Sequence, residues 1–200
     1  AFPIAIGMGR RQNVNTNAKT QMKMLNKQFF RFLFIILLCN SASAQGTWTQ
    51  RANMPVVGRN EAVSFTIGTK GYLGTGVNLS GTKLNDLWEY DSSLNAWTQK
   101  ASMPAAVRFI AFGFAIGTKG YIGAGFTTTH AQDFYEYDAS LNSWTQKANF
   151  PGTARGGVAA FCIGNKGYAG TGQDAVGPQQ DFYQYDPSLN TWTPIANFAG

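Results

Sequence analysis

The sequence of 200 residues has little of the chemistry on which most enzymes and metalloproteins rely. It contains one histidine, His130, two cysteines and 13% charged residues. A zinc site does not follow from one histidine and one buried cysteine. The sequence also lacks a nucleophile elbow and a phosphate-binding glycine loop that opens a helix. We therefore predict no catalytic residues, no metal and no cofactor.

A hydrophobic run long enough to cross a bilayer is also missing. The apolar run at 32–38 falls short of the roughly 20 residues that a membrane span needs. Basic residues precede this run and small residues at 42–44 follow it, which is typical of a cleaved signal peptide. We predict an upstream or non-native segment at 1–21, a helical signal peptide at 22–44 and a secreted mature chain from Gln45. That chain would be periplasmic, cell-surface or extracellular, with no stable membrane span; a short membrane anchor is the alternative.

The mature chain has no excess of positive charge. The formal net charge of the whole sequence is +6, but six of its 16 cations and none of its 10 acids lie before Ala44. The remainder therefore carries ten charges of each sign. This balance removes the electrostatic argument for nucleic acid or an anionic membrane surface as a partner.

A disulfide within the mature chain is excluded by its cysteine content. Cys39 belongs to the predicted signal, so Cys162 remains alone. Cys162 aligns with Thr66 and Ala115 in the repeats described next. We interpret it as a small buried side chain rather than a reactive thiol.

The mature chain consists of repeats. A glycine-rich segment with a lysine and a tyrosine occurs at 67–76, 116–125 and 163–172, and three tryptophans follow at spacings of 47 and 48 residues. Each unit has four strand-like runs, which in the first copy are 62–67, 71–76, 86–90 and 95–99. Glycine-rich and Asp/Ser/Asn-rich turns separate the runs. A four-stranded antiparallel unit of this length is typical of a β-propeller blade.

The repeat resembles the kelch-repeat family, including the kelch propeller of galactose oxidase. The matching residues are Gly74, Gly76, Tyr90, Asp91 and Trp97; Gly123, Gly125, Tyr137, Asp138 and Trp144; and Gly170, Gly172, Tyr185, Asp186 and Trp192. One departure is that a residue separates the two glycines, which are usually adjacent in kelch blades. The resemblance covers the chain from about Gly46 to its end.

This resemblance implies an all-β fold, a partial propeller of four-stranded antiparallel blades. We predict a kelch-type domain over 45–200, with complete blades at about 59–100, 108–147 and 155–194 and a leading strand at 46–50. In kelch proteins such a strand commonly completes the last blade. Propellers close with roughly four to eight blades. We therefore expect the sequence to be truncated at both ends, with missing blades of its own full-length chain as partners.

A ligand site is expected on the face that carries the connections differing between repeats, at 77–85, 126–132 and 173–180, because variable loops on a uniform frame commonly bind ligands. The candidate ligand-face residues are Asn53, Arg59, Asn60, Arg108, Phe109, Phe126, His130, Arg155, Gln173, Asp174 and Gln179. The three arginines recur in every unit, as do Asp86, Asp133 and Asp181. Ion pairs within the scaffold are therefore an alternative role for them.

Two functions remain open from the sequence. The first is a binding or scaffold module for a glycan or protein ligand, with no catalytic activity. The alternative is the non-catalytic portion of a secreted carbohydrate-active kelch enzyme, an oxidase or a sialic-acid epimerase, whose active-site blades are missing. The family's copper site uses two histidines and tyrosine ligands, and this segment with His130 alone cannot build it. Glu61 and Asp174 are acids outside the repeat, but their spacing does not support a paired-carboxylate site.

Overall fold

The computed structural model describes residues 22–23 and 46–199. The chain divides into two units, Ala1–Gln50 and Arg51–Gly200. In the first unit, residues 22–23 are helical, and residues 46–50 are exposed. The predicted upstream segment and almost all of the predicted signal peptide lie outside the described residues. Within the described residues, no helix is long and apolar enough to span a membrane.

The predicted leading strand is not observed. Residues 46–50 are described, yet they belong to no sheet, and Trp48 is fully exposed. A β-strand is defined by its ladder of hydrogen bonds to a neighbour. The sequence pattern of 46–50 matches an outer strand, but the described residues offer it no sheet to join.

The second unit is built from short antiparallel strands. The first repeat contains β1 (Arg59–Asn60), β2 (Val63–Ile67), β3 (Lys70–Gly74), β4 (Val77–Asn78), β5 (Leu87–Asp91) and β6 (Ala96–Lys100). The second repeat contains β7 (Phe112–Ile116), β8 (Lys119–Gly123), β9 (Phe134–Asp138) and β10 (Ser143–Lys147). The third contains β11 (Ala159–Ile163), β12 (Lys166–Gly170), β13 (Phe182–Asp186) and β14 (Thr191–Ile195).

Each repeat forms one four-stranded sheet in which neighbours in sequence are neighbours in space. The orders are β2-β3-β5-β6, β7-β8-β9-β10 and β11-β12-β13-β14, and β1 pairs with β4 in a small separate ladder. We call these the first, second and third sheets. The predicted all-β fold of four-stranded antiparallel units is confirmed, with strand ends within one or two residues of the predicted runs. Three such sheets in series are consistent with a β-propeller-like fold.

Local chemistry fixes the two tight turns of each sheet. Gly68, Gly117 and Gly164 open the turns between the first and second strands with φ of 57–58°, a left-handed conformation that glycine adopts without steric cost. In the turn between the third and fourth strands, the Asp91 carboxylate accepts hydrogen bonds from the backbone nitrogens of Ser93 and Leu94. The same bonds recur in the second sheet, and the serine bond recurs in the third. These turns produce the meander that the sequence predicted.

Neighbouring sheets pack through aromatic rings that lie on glycines. The first strands β2, β7 and β11 lie against one another in that order. A Cβ atom on Gly120 would lie 2.2 Å from the Phe65 ring, and one on Gly167 would lie 2.3 Å from the Phe114 ring. Only glycine therefore leaves room for the ring of the preceding sheet. The rings are 7% and 4% exposed, so these contacts form the core between sheets.

A tryptophan and an asparagine of each sheet hold the connection that precedes that sheet. The Trp144 indole donates a hydrogen bond to the Ala101 carbonyl, and the Asn142 carboxamide oxygen accepts one from the Ala101 backbone nitrogen. Equivalent pairs hold Ala148 in front of the third sheet and Ala52 in front of the first. The repeated tryptophans are half-buried, so they pack between sheets as expected and also form a specific polar contact.

The third sheet differs from the other two in one set of charges. In the first sheet Glu89 accepts a hydrogen bond from the Tyr72 hydroxyl and pairs with Lys100. The second sheet repeats this arrangement with Glu136, Tyr121 and Lys147. In the third sheet the equivalent residues are Gln184, which bonds the Tyr168 hydroxyl, and Ile195. The carboxylate and its lysine partner are thus replaced together by neutral residues.

Candidate functional site

The rim that carries the variable connections rests on a frame that is the same in each repeat. The segment entering each sheet pairs with the start of the connection after the second strand. These pairs are Asn60 with Val77, Phe109 with Phe126 and Gly156 with Gln173. The close approach requires the second glycine of each repeat: a Cβ atom on Gly76 would lie 2.6 Å from the Asn60 carbonyl oxygen. The frame therefore places the candidate residues 60, 109, 126 and 173 at equivalent positions on one rim.

The three recurrent arginines belong to this frame and not to an exposed surface. Arg59, Arg108 and Arg155 each make a two-pronged contact with the repeat's own aspartate, at 2.5 to 2.8 Å. Their side chains are 5%, 1% and 1% exposed. Such buried guanidinium groups cannot reach a ligand directly. Of their two possible roles, the structure supports the scaffold ion pair.

Each arginine also holds the residue that separates the two glycines. Thr75, Ala124 and Thr171 have φ of 57°, 54° and 59°, and their carbonyl oxygens accept hydrogen bonds from the arginine Nη1 atoms. A left-handed conformation is uncommon for residues with a side chain. The arginine and its aspartate therefore fix an otherwise unfavourable turn at the point where each variable connection begins. This role for the inserted residue was not predicted from the sequence.

The ion pairs shift the pKa values of two of the aspartates. Burial alone would raise the pKa of Asp86, but hydrogen bonds from Arg59 and Trp88 outweigh it and hold the pKa below its usual range. Hydrogen bonding from Arg155 lowers the pKa of Asp181 against the opposing effect of burial. Both carboxylates are thus stabilised in their charged form, as expected for structural ion pairs.

The most distinctive feature of the variable rim is a cluster of Lys83, Phe109, Phe126 and His130, which we call the rim cluster. The Lys83 ammonium lies 5.4 Å from the centre of the Phe109 ring and 5.0 Å from that of Phe126. The two phenylalanine rings are 5.6 Å apart, and the His130 ring stands edge-on to Phe126 at 5.1 Å. All four side chains are half-buried. The rim cluster therefore presents partly accessible aromatic surface beside a positive charge.

The rim cluster joins two sheets. Lys83 lies in the variable connection of the first sheet, whereas the other three residues belong to the second repeat, and the Lys83 ammonium also donates a hydrogen bond to the Thr127 carbonyl. The structure thus brings together the predicted candidates Phe109, Phe126 and His130. Sequence reasoning missed Lys83. The sequence shows Lys83 only as a lysine of the variable connection 77–85 that the other repeats lack. The two phenylalanine rings that it contacts lie more than twenty residues further along the chain.

The remaining candidates are not gathered at this cluster. Asp174 organises its own loop: its carboxylate accepts hydrogen bonds from the Thr153 hydroxyl and from the backbone nitrogens of Gly177 and Val176, which lower its pKa. Gln173 is exposed, and the Gln179 amide donates a bond to the Gly177 carbonyl. Asn60 is exposed on the rim.

Asn53 is exposed and lies in the connection that enters the first sheet. It follows Ala52, whose backbone nitrogen is bonded to Asn95 in the turn between the third and fourth strands. The assignment of Asn53 to the ligand face stays a prediction.

Two further features bear on chemistry. Among the residues that the structure describes, no group of three or more His, Cys, Asp or Glu side chains lies close enough to hold a metal ion. Cys162 is half-buried, and burial raises the pKa of its thiol. A raised pKa lowers the thiolate fraction and therefore the reactivity of this cysteine.

An open, mainly apolar cavity of about 830 Å³ lies on the third sheet. Phe161, Phe182 and Phe198 contribute to its walls. The cavity carries none of the rim-cluster residues, so it is a separate feature of the surface.

Comparison with known proteins identifies the fold but no function. No family model matches the chain, and a search of curated proteins finds no match. Among solved structures 167 chains match. One is the structure of YjhT, with a TM-score of 0.68 and 17% sequence identity over 80% of this chain and 58% of that one. This chain thus spans little more than half the length of that neighbour. At this identity the likeness supports the fold alone, an all-β arrangement of antiparallel sheets consistent with a β-propeller.

Proposed function

We propose that the chain is part of a kelch-type β-propeller that binds a ligand through its variable rim and catalyses no reaction of its own. The ligand is a glycan or a protein, and the rim cluster favours a glycan. Secretion, as predicted from the signal at 22–44, places the module where such ligands are exposed. Further sheets of the same kind would complete the propeller.

The rim cluster carries this proposal. Its aromatic rings are held at fixed mutual distances and remain half-exposed. Ring faces of this kind stack on the apolar faces of sugars, and a neighbouring ammonium group can hydrogen-bond their hydroxyl groups. The frame below is the same in each repeat, whereas among the described sheets the cluster occurs only where the first sheet meets the second. Residues that break a repeat at a surface are better candidates for recognition than those that maintain it.

A binding survey on a glycan array with the 200-residue chain tests the proposal. For the best glycan found, Phe109→Ala and Phe126→Ala are each expected to weaken binding by about tenfold, which corresponds to about 1.4 kcal/mol. Leu141→Ala serves as the matched control, because Leu141 is exposed at a turn of the same second sheet but on the opposite rim. It should leave binding unchanged.

Two results would contradict the proposal. One is the absence of any glycan or protein ligand in surveys of both classes. The other is a ligand whose affinity is insensitive to both phenylalanine substitutions while the variants remain folded, as judged by thermal unfolding. A protein ligand sensitive to these substitutions would support the rim as the binding site and change the ligand class.

A further inference from the structure

A strained residue lies directly after Phe109 of the rim cluster. Ile110 has a φ of 48°, and this left-handed conformation is an outlier for a β-branched residue. The backbone imposes it from both sides, because the Ile110 nitrogen donates a hydrogen bond to the Glu61 carbonyl and the Ile110 carbonyl accepts one from Gly157. Strain of this kind is concentrated at ligand clamps and other functional sites. Ile110 is therefore held in a conformation that aims its side chain at one particular neighbour.

That neighbour is Gly156, in the segment that enters the third sheet. A Cβ atom on Gly156 would lie 2.3 Å from the Ile110 Cδ1 atom. Gly156 is the equivalent of Phe109 in the frame of the rim. We call the contact of the first and second sheets on this rim the first junction, and that of the second and third sheets the second junction. At the second junction the half-buried Ile110 side chain thus covers the position from which Phe109 projects at the first.

His130 holds, at the second junction, the backbone position that Lys83 holds at the first. The carbonyl of the residue after Lys83 accepts a hydrogen bond from the Arg108 backbone nitrogen. In the next repeat, the carbonyl of the residue after His130 accepts one from the Arg155 backbone nitrogen. The His130 ring also stands edge-on to Phe126. The rim cluster and the second junction therefore share this residue.

Gln173 adds to the second junction an amide that the fold does not use. Its backbone is held at both polar groups, because its nitrogen donates a hydrogen bond to the Gly156 carbonyl and its carbonyl accepts one from the Gly156 nitrogen. Its side chain is exposed and forms no hydrogen bond among the described residues. A carboxamide both donates and accepts hydrogen bonds. Gln173 thus presents an unpartnered polar group from a fixed backbone position.

The chemistry of the second junction suits neutral hydroxyl groups. Asp174 follows Gln173, but it is buried and its carboxylate already accepts hydrogen bonds from Thr153, Val176 and Gly177. The side chains left to meet a ligand are an aliphatic group, an imidazole and an amide. A hydroxyl group both donates and accepts hydrogen bonds, as an amide and a neutral imidazole do. A charged ligand group would find no opposite charge among these three side chains.

We propose that the second junction is a second sugar subsite, and that the ligand of this rim is an oligosaccharide whose consecutive units occupy the rim cluster and the second junction. The inference rests on the proposed function, in which the rim cluster binds a glycan. A sugar ring has an apolar face of C–H groups, which packs on Ile110. Its hydroxyl groups hydrogen-bond His130 and Gln173. Because His130 belongs to both subsites, the two sugars are neighbours in the oligosaccharide.

Isothermal titration calorimetry tests the inference with the 200-residue chain, the best glycan of the array and the disaccharide and monosaccharide fragments of that glycan. The disaccharide is expected to bind about tenfold more tightly than the monosaccharide. Gln173→Ala should weaken binding of the disaccharide by about fivefold, a usual loss for one neutral hydrogen bond, and leave binding of the monosaccharide unchanged. Gln146→Ala is the matched control, because Gln146 is exposed on the outer strand β10, and it should change neither affinity.

Two further variants separate the subsites. Ile110→Gly removes the apolar side chain and keeps the backbone conformation, since Gly157 adopts a φ of 66° at the equivalent position, and it should weaken binding of the disaccharide alone. Phe109→Ala should weaken binding of both sugars. Binding that requires Phe109 but gains nothing from the second sugar, or a disaccharide affinity insensitive to Gln173→Ala, would overturn the second subsite and leave the rim cluster as a site. A protein ligand in place of a glycan would also overturn it, and the absence of any glycan or protein ligand would overturn both proposals.

Discussion

The indole Nε1 of Trp144 lies 2.8 Å from the carbonyl oxygen of Ala101, and this contact joins the second sheet to the connection that leaves the first. The same alanine is held through its nitrogen by Asn142. One residue between two sheets is thus fixed at both of its backbone polar groups. We therefore expect this contact, as well as apolar packing, to stabilise the repeat series.

Trp144→Phe is expected to lower the free energy of unfolding by about 1 kcal/mol, because it removes the hydrogen bond but keeps most of the ring. Urea unfolding followed by circular dichroism measures the change. Trp48→Phe is the control, since Trp48 is fully exposed. Equal effects of the two substitutions would show that the indole bond to Ala101 contributes nothing to stability.

Gly120→Ala is expected to destabilise the protein by about 1 to 3 kcal/mol, the usual range for overpacking. The new methyl group would lie 2.2 Å from the Phe65 ring, which is itself buried and cannot move freely. Gly71→Ala, at the equivalent position of the first sheet, should change stability by less than about 0.5 kcal/mol. Thermal unfolding of both variants provides the comparison, and similar midpoints would contradict the ring-on-glycine packing.

Thr75→Ala is expected to be neutral or to stabilise the protein by up to about 1 kcal/mol. The Thr75 hydroxyl is fully buried and has no hydrogen-bond partner among the described residues, which carries a desolvation cost. The second repeat shows that alanine suits the site, because Ala124 adopts the same backbone conformation. Denaturant unfolding measures the change in the free energy of unfolding. A decrease of more than about 1 kcal/mol would contradict the prediction and indicate a hydrogen-bond partner for the Thr75 hydroxyl.

The arginine–aspartate pairs predict a loss of stability in acid. Asp86 and Asp181 have pKa values lowered by their arginines. A carboxyl group with a lowered pKa in the folded state stabilises the protein above its unfolded pKa of about 3.9, and that contribution is lost as the pH falls further. The free energy of unfolding should therefore decrease as the pH falls below about 4.

Asp181→Asn is expected to lower stability at neutral pH, because it leaves the buried Arg155 without its counter-ion, and to reduce the acid dependence. Glu61→Gln is the control, since Glu61 is exposed and forms no ion pair in the described part of the chain. Urea unfolding from pH 7 to about pH 2 supplies both quantities. An unchanged acid dependence in Asp181→Asn would contradict the assigned role of this carboxylate.

The sequence predicted the repeat, the strands and their order because each depends on local pattern. Each signal lies within a few residues of sequence: apolar and polar residues alternate around Phe65, a glycine stands at residue 68, and turn-forming residues follow Asp91. The recurrence of Arg59 with Asp86 also allowed their pairing to be considered. The strand at 46–50 is not observed in the described part of the chain, and it stays a prediction because strand formation requires a partner that a local pattern cannot supply.

The site was less accessible to sequence reasoning. The distance of Lys83 from the Phe109 ring depends on how two successive sheets are oriented, which no local pattern encodes. Arg108 and Arg155 were candidate ligand-face residues. Their side chains are instead buried, because they hold the left-handed turns where the variable connections begin.

The replacement of a carboxylate and its lysine by Gln184 and Ile195 means that the three repeats will not respond alike to ionic strength. Added salt screens the lysine contacts of Glu89 and Glu136, which are only partly shielded from solvent. The third sheet has no lysine–glutamate pair at Gln184 for added salt to weaken. In hydrogen exchange at high salt, amides of β5 and β9 should lose protection sooner than those of β13, so the repeats would unfold in an order set by two substitutions.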